Sequence, residues 1–380
     1  MEITANRSNG TLTLELTGRL DMNTAPILAG QLALGGISSL VLDLDGCPYI
    51  SSGGLREILR AQKELAKTKG TMLVSNVSPE VFSILEVTGL ARLISIRRKV
   101  RQISIKGLEF ISAGVCGECY RLDPETIVKL YNEGIEADVA EREKAYAKAA
   151  FVLGIPTAIS YDVVGSGNRT GVVYEMLDAQ LFSAVIRNDL DNIDRHARTL
   201  AGVARTIHGT RAEDSVFPDI KERFRGYLQE MDFFLSEAEI AFLQAKLESI
   251  PDADTCVHFD IHTSNIMIKE GEPIIIDMGD FSTGSYLFDV GLMQTIYGYP
   301  EINLCQLVTK IPDEKGVELL ERFLHHYFAD KPAAEYEFFL RNRDFLGSLR
   351  LIYTITFLPK MREQLVGVIK DLLLPRMRAA

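Results

Sequence analysis

The chain has 380 residues, 47% hydrophobic and 24% charged, with 41 Lys and Arg against 52 Asp and Glu for a formal net charge of −11. At roughly 100–200 residues per domain, this length predicts two or three domains. The composition excludes a disordered or fibrous chain, and no run approaches the roughly 20 apolar residues that span a bilayer. The acidic balance argues against a global attraction to nucleic acid or anionic lipid. Met1-Glu2-Ile3-Thr4 lacks the basic-then-apolar pattern of a secretory signal. Five cysteines in a chain this long fit a reducing cytoplasm rather than a disulfide framework, so a cytoplasmic protein is expected.

Residues 2–6 and 11–17 alternate apolar and polar side chains around Ser8-Asn9-Gly10, which predicts a β-hairpin. A short helix is expected from about Thr24 to Leu34, closed by Gly35-Gly36. Ser39 to Asp45 reads as a buried strand, and Ser51-Ser52-Gly53-Gly54-Leu55 opens a helix through about Lys69. Gly70 ends that helix, Thr71 to Ser75 makes another strand, and Pro79 starts a third helix with Val81, Phe82, Ile84 and Leu85 on its apolar face. Strands alternating with helices predict a mixed α/β layer.

The run Leu42-Asp43-Leu44 followed by Tyr49-Ile50-Ser51-Ser52-Gly53-Gly54-Leu55 resembles the STAS domain of anti-sigma-factor antagonists, and residues 1 to about 98 have its length and element order. That family's strand-to-helix loop reads Asp-Ser-Ser/Thr-Gly-Leu, and its second hydroxyl residue is a phosphorylation switch. Aligned on Gly54-Leu55, Ser51 falls at the Asp position, Ser52 at the first Ser and Gly53 at the switch. Ser52 is therefore the candidate phosphosite, since an anion there meets a helix N-terminus; the alternative is that Ser51 or Ser52 is only an N-cap. The resemblance implies a docking module with a protein partner whose switch is lost or shifted.

Ile96-Arg97-Arg98-Lys99-Val100-Arg101 reads as a solvated connector. Beyond it, Ile103–Ile111, Gly114–Leu122 and Thr126–Tyr131 read as strand, turn, strand, turn, strand. Gly114 and Gly117 are expected to let a hairpin backbone approach a polyphosphate. Lys129 lies in an otherwise apolar strand, and a buried lysine needs a partner. Residues 136–153 read as a charged helix with Glu143 at its middle as that partner; Glu141 and Glu136 are alternatives.

His258-Phe259-Asp260-Ile261-His262-Thr263-Ser264-Asn265 precedes an apolar strand, a turn at Gly271 and Pro273, and a second apolar strand ending on Asp277. Two acids and an Asn are thus presented at the ends of a rigid hairpin. One Asp there can accept a hydroxyl proton, while the Asn and the other Asp supply hard oxygen ligands. This segment resembles the aminoglycoside phosphotransferase/choline kinase family, whose His-Gly-Asp-x-x-x-x-Asn and Ile-Ile-Asp-x-x-Asp motifs match residues 258–265 and 275–280. The resemblance covers about 103 to 380. It implies a bilobal protein-kinase-like fold, with an antiparallel-sheet N-lobe at about 103–177 and a helical C-lobe at about 178–380, and it implies ATP and Mg2+ as cofactors. In roles, it implies Asp260 as catalytic base, Asn265 and Asp277 as Mg2+ ligands, and Lys129 as phosphate anchor with Glu143 behind it. A hinge at Val172–Leu177 includes Glu175 and Met176, whose backbone is expected to bond adenine, and Asp289 is expected to be a structural acid. Phe259 stands where the family has Gly, and its ring is expected to alter the loop or narrow the substrate mouth.

Two other functions compete with phosphoryl transfer to a hydroxyl of a small molecule. One is a nucleotide-binding regulator without turnover. The other is a metal hydrolase using His258-x-Asp260-x-His262, although His196, His208, His325 and His326 offer no further ligand cluster. Cys116-Gly117-Glu118-Cys119 reads as a hairpin turn with incidental thiols.

Overall fold

The computed structural model describes residues 1–212 and 216–379. The chain divides into two compact units, Met1–Gln102 and Ile103–Ala380.

The first unit is a five-stranded sheet in the order β1-β2-β3-β4-β5. Its strands are β1 Glu2–Ser8, β2 Thr11–Thr17, β3 Ser39–Gly46, β4 Thr71–Val77 and β5 Ser95–Arg98. The hairpin pairs Ser8 with Thr11, and Asn9 and Gly10 both take positive φ, as a tight two-residue turn requires. The later strands join in parallel through the helices α1 Ala25–Gln31, α2 Ser52–Lys67 and α3 Pro79–Val87. Helix α1 stops at Gln31, short of the expected Leu34. Leu12, Leu14, Leu16, Leu40, Leu42, Val74, Ile58, Leu65, Val81 and Leu85 close one core between sheet and helices.

Ser51 is the N-cap of α2, accepting the Gly53 N–H at 3.2 Å, while Ser52 is exposed on the first turn. The glycines after it are required by close approach. A Cβ on Gly54 would lie 2.5 Å from Leu20 Cγ and 2.8 Å from its carbonyl, and one on Gly53 would lie 3.1 Å from Met22 Cα.

The second unit opens with antiparallel strands lying side by side in the order Ser160–Ser166, Arg169–Glu175, Thr126–Tyr131, Gly117–Arg121, Glu109–Ala113. The first of these in sequence begins at Glu109; residues 103–108, expected to be strand, are irregular. Helix Ala137–Val152 packs on this sheet through the stripe Ala140, Glu143, Tyr146, Ala147 and Ala150. Helices follow, with Ile193–His208, Leu287–Tyr297, Asp313–Phe328 and Ala333–Phe357 forming the interior. The short hairpin Ile266–Lys269 and Glu272–Ile275 turns at Glu270-Gly271, both at positive φ. Among the described residues no helix is long and apolar enough to cross a membrane, and all five cysteines are free.

We expect Gly54→Ala to destabilise the first unit by about 1–3 kcal/mol, because its methyl meets backbone as well as a flexible leucine. Native-state hydrogen exchange on the full chain should show faster exchange of the α2 and β3 amides, with the second unit unchanged.

Candidate functional site

Lys129 occupies an inward-facing place on its strand, paired across to Val172. Its Nζ lies 3.0 Å from each carboxylate oxygen of Glu143 and 2.7 Å from Asp277 Oδ1. Of the three candidate glutamates the structure brings Glu143 to the lysine; it is 2% exposed. The Tyr174 hydroxyl donates to Glu143 Oε1 at 2.7 Å, and the Tyr131 hydroxyl donates to Oε2. Burial works against the lysine's charge, but Asp277 and Glu143 overcome it and hold the ammonium well above its ordinary range. Both tyrosines are pushed upward, first by burial and then by the neighbouring Glu143 carboxylate, so they stay protonated donors.

The second half of the site is the loop 258–265. Its entry is pinned by Asp289, 1% exposed on helix Leu287–Tyr297. Asp289 Oδ2 accepts the His258 N–H at 2.9 Å, Oδ1 accepts the Phe259 N–H at 2.6 Å, and His208 Nε2 lies 2.9 Å from Oδ2. These contacts show Asp289 in the structural role expected for it. The backbone N–H of Asp260 donates to His258 Nδ1 at 3.2 Å, so the imidazole proton sits on Nε2, 3.2 Å from the Ile276 carbonyl. Both nitrogens of His258 are engaged and the ring is buried, so the His-x-Asp-x-His pattern is not a metal cluster. Among the described residues no group of three His, Cys, Asp or Glu is placed to hold a metal ion.

Asp260 presents both oxygens to donors. Asn265 Nδ2 donates to Oδ2 at 2.8 Å and to the Asp260 carbonyl at 2.9 Å. Arg350 Nη2 lies 2.6 Å from Oδ1. The Ser264 N–H donates to His262 Nδ1 at 3.2 Å, which leaves Nε2–H on the side of Asp260 Oδ1, 3.8 Å away. Burial pushes the Asp260 carboxyl upward, but Arg350, the two histidines and the Asn265 hydrogen bond outweigh it and hold it below the usual carboxylate value. Burial likewise keeps the His262 imidazole below its ordinary value despite Asp260. Since the Asn265 amide nitrogen serves Asp260, its Oδ1 is the atom left for a cation. Asp277, 42% exposed and at φ +64°, is the second oxygen donor at the end of the hairpin. This donor set of oxygens suits a hard cation such as Mg2+.

The structure adds detail to three of these readings. The Phe259 ring does not narrow a mouth: it is 1% exposed and packs edge-on to Phe224 at 5.3 Å and Phe288 at 6.4 Å, and tilted against Tyr353 at 5.7 Å. Its backbone, at φ +57°, takes the left-handed conformation in which glycine is ordinarily at ease. Gly117 is required by the neighbouring strand, since a Cβ would lie 2.4 Å from the Leu130 carbonyl oxygen; a Cβ on Gly114 would meet the Gly117 carbonyl oxygen at an ordinary 4.0 Å. At the hinge, the Glu175 N–H donates to Ile159 O at 3.0 Å and the Met176 N–H to Glu125 O at 2.7 Å, so both amides already have protein partners.

Sequence reasoning missed Arg350. Its Nη1 donates to Asp280 Oδ2 at 2.9 Å and to the Phe259 carbonyl at 2.8 Å. Asp280 also accepts the Tyr353 hydroxyl at 2.5 Å. The only sequence signal was the i, i+3 spacing of Arg350 and Tyr353 on a helix that is otherwise apolar in this stretch.

Two family models match the chain: the STAS domain over residues 2–103 and the phosphotransferase enzyme family over residues 108–338. A candidate anti-sigma factor antagonist of Bordetella bronchiseptica, BtrV, is 33% identical over 92 residues, spanning 23% of this chain and 79% of that protein. Among solved structures, a thermostable variant of aminoglycoside phosphotransferase APH(4)-Ia, in complex with AMP-PNP and hygromycin B, is 12% identical. It covers 72% of this chain and 95% of its own, with a TM-score of 0.49. The Plasmodium vivax ethanolamine kinase is 16% identical over 73% of this chain and 78% of its own, with a TM-score of 0.46.

Replacing Asp289 by Ala leaves two buried backbone N–H groups without an acceptor, each worth about 1–3 kcal/mol. We expect a total loss of about 2–6 kcal/mol, read from chemical denaturation of the second unit. A change within error of zero would show that the loop is held elsewhere.

Proposed function

The chain belongs to the phosphotransferase enzyme family and carries a STAS domain, and from that premise we propose that its second unit transfers the γ-phosphoryl group of ATP, with Mg2+, to a hydroxyl of a small molecule. The observation that supports this best is the pairing of two assemblies: an ammonium held between Glu143 and Asp277, and a carboxylate held by Asn265 at the open end of the same hairpin. In this reading Lys129 meets the phosphates and Glu143 fixes its direction. Asn265 Oδ1 and Asp277 hold Mg2+, which when bound neutralises charge on the phosphate oxygens. Asp260 orients the acceptor hydroxyl and takes its proton. Its low basicity suits this role, because little covalent chemistry is asked of the protein in phosphoryl transfer and positioning dominates.

Adenine is proposed to lie at the hinge by Glu175 and Met176; for Met176, donating to the base means releasing Glu125 O. Gly114 lies in the turn proposed to cover the phosphates, and Gly117 supports that turn by its close approach to the strand of Lys129. The first unit is proposed to dock a protein partner in the cytoplasm. Ser52, exposed beside the N-cap, is the hydroxyl available for modification there, with Gly53 at the family's switch position.

Asp260→Ala should reduce ATP consumption to background across a screen of alcohols, amino sugars and nucleosides that supports turnover by the wild type, while ATP binding persists. Unchanged turnover removes the assigned base. Asp277→Ala should instead erase most of the thermal shift that Mg-ATP gives the wild type. An equal shift in that variant removes the metal assignment.

A further inference from the structure

Arg350 is a charged side chain 14% exposed, reaching the loop 258–265 from a helix some ninety residues further along the chain. Its planar fork divides its bonds among three oxygens from two separate stretches of chain: Asp260 Oδ1 at 2.6 Å and the adjacent Phe259 carbonyl at 2.8 Å, and Asp280 Oδ2 at 2.9 Å. The far end of this bridge is itself fixed. The Tyr353 hydroxyl and Arg350 both donate to Asp280, and Arg223 lies 3.8 Å from it while donating to the Asp280 carbonyl at 3.3 Å and to Ser282 Oγ at 2.9 Å. A surface ion pair needs no such scaffold. Here a guanidinium is seated between two part-buried acids, over the rings of Phe259 at 5.5 Å and Tyr353 at 5.3 Å. A lysine, with one point of charge and no fork, cannot serve all three oxygens in this geometry.

We propose that Arg350 is the positioning residue for Asp260: by bridging Asp260, Asp280 and the Phe259 carbonyl, it sets the direction in which the base presents its carboxylate. The inference rests on the phosphotransferase reading for its catalytic meaning, though not for its structural content. It also assigns the second acid of the Ile-Ile-Asp-x-x-Asp run, Asp280, to the anchoring of Arg350 rather than to a cation. Asp260 Oδ2 is fixed by Asn265 and Oδ1 by Arg350, so the carboxylate plane is defined at both oxygens. Removing the guanidinium frees one of them and releases the carbonyl of a residue held in the left-handed region.

The test uses full-length protein with Mg-ATP, ADP release being the readout and water serving as acceptor where no alcohol is turned over. Arg350→Ala should lower kcat by about 100-fold, the scale expected for misplacing a reacting group by an ångström. KM for Mg-ATP should stay within about twofold, since the Lys129 side is untouched. Millimolar guanidinium should restore part of the lost rate. Arg350→Lys should recover thermal stability without recovering kcat, which a purely structural role does not predict. Unchanged kcat in Arg350→Ala, or a lysine variant that restores rate and stability together, overturns the proposal. If Arg350→Ala does not fold, Tyr353→Phe, which removes only the hydroxyl on Asp280, should show a smaller kcat loss in the same direction, and an unchanged kcat there counts against it. A crystal structure of Arg350→Ala or Arg350→Lys decides the structural content independently: Asp260 rotated from its place supports the proposal, and superposition with the wild type overturns it. Absence of ADP release from the wild type, by contrast, counts against the phosphotransferase reading and leaves the crystallographic result to judge Arg350.

Discussion

The site depends on one buried carboxylate. Asp289 accepts the two consecutive backbone N–H groups of His258 and Phe259, and that demand bends the chain so that Phe259 takes a positive φ. A left-handed residue with a side chain costs about 1–3 kcal/mol. Hydrogen bonds to a charged acceptor contribute about 1.5–3 kcal/mol each, so two of them outweigh the strain. The reversal that follows brings Asp260 to Arg350 and Asn265, while the buried His258 closes the loop on itself through the Asp260 N–H and the Ile276 carbonyl. His208 and Tyr327 continue the chain of polar contacts behind Asp289, which keeps a buried acid from being left with backbone partners alone.

The second constraint is electrostatic and sits on the other side of the hairpin. Lys129 is held by two acids from different parts of the chain, Glu143 on the sheet-covering helix and Asp277 after the hairpin. The two differ in what surrounds them. Glu143 is buried and receives two tyrosine hydroxyls as well as the ammonium, so it is fully committed. Asp277 is half-exposed, and its ion pair is with the lysine. The asymmetry between the two acids arises from burial rather than from residue type.

Much of this was legible in the sequence because it is local. Asn9-Gly10 specifies its hairpin through the φ values that only such a pair adopts easily, and Lys129 announces itself as a charge inside an apolar strand. Asp260, Asn265 and Asp277 are marked by their spacing around two short strands. The helix narrowed the lysine's partner to Glu143, Glu141 or Glu136, and only the packed structure, with Glu136 at the N-cap and Glu143 on the buried stripe with Ala140 and Ala147, decides among them. What stayed hidden depends on distant neighbours. Arg350 looks like any helix arginine until the fold brings Asp260 and Asp280 to it. Gly117 suggested phosphate contact, yet the reason for a glycine there is the Leu130 carbonyl of the adjacent strand. The hinge amides looked free because nothing nearby in the sequence shows that Ile159 and Glu125 accept from them. Residues 103–108 carry strand-like apolar alternation but have no ladder that uses it.

Phe259 draws the two kinds of constraint together. Glycine at this point would adopt the positive φ without strain but would bring no contacts. Phenylalanine bears the strain and places its ring among Phe224, Phe288 and Tyr353. Burying a phenylalanine side chain contributes about 1.5–3 kcal/mol, comparable with the backbone cost it offsets. The exchange is therefore close to neutral in stability and not neutral in mobility. A glycine there would be held through its backbone alone, at the N–H and at the carbonyl that Arg350 meets, whereas this residue is also held by a ring in the core. The Phe departure from the family pattern thus ties the loop 258–265 to the helix Ala333–Phe357 twice, through its ring on Tyr353 and through its carbonyl on Arg350.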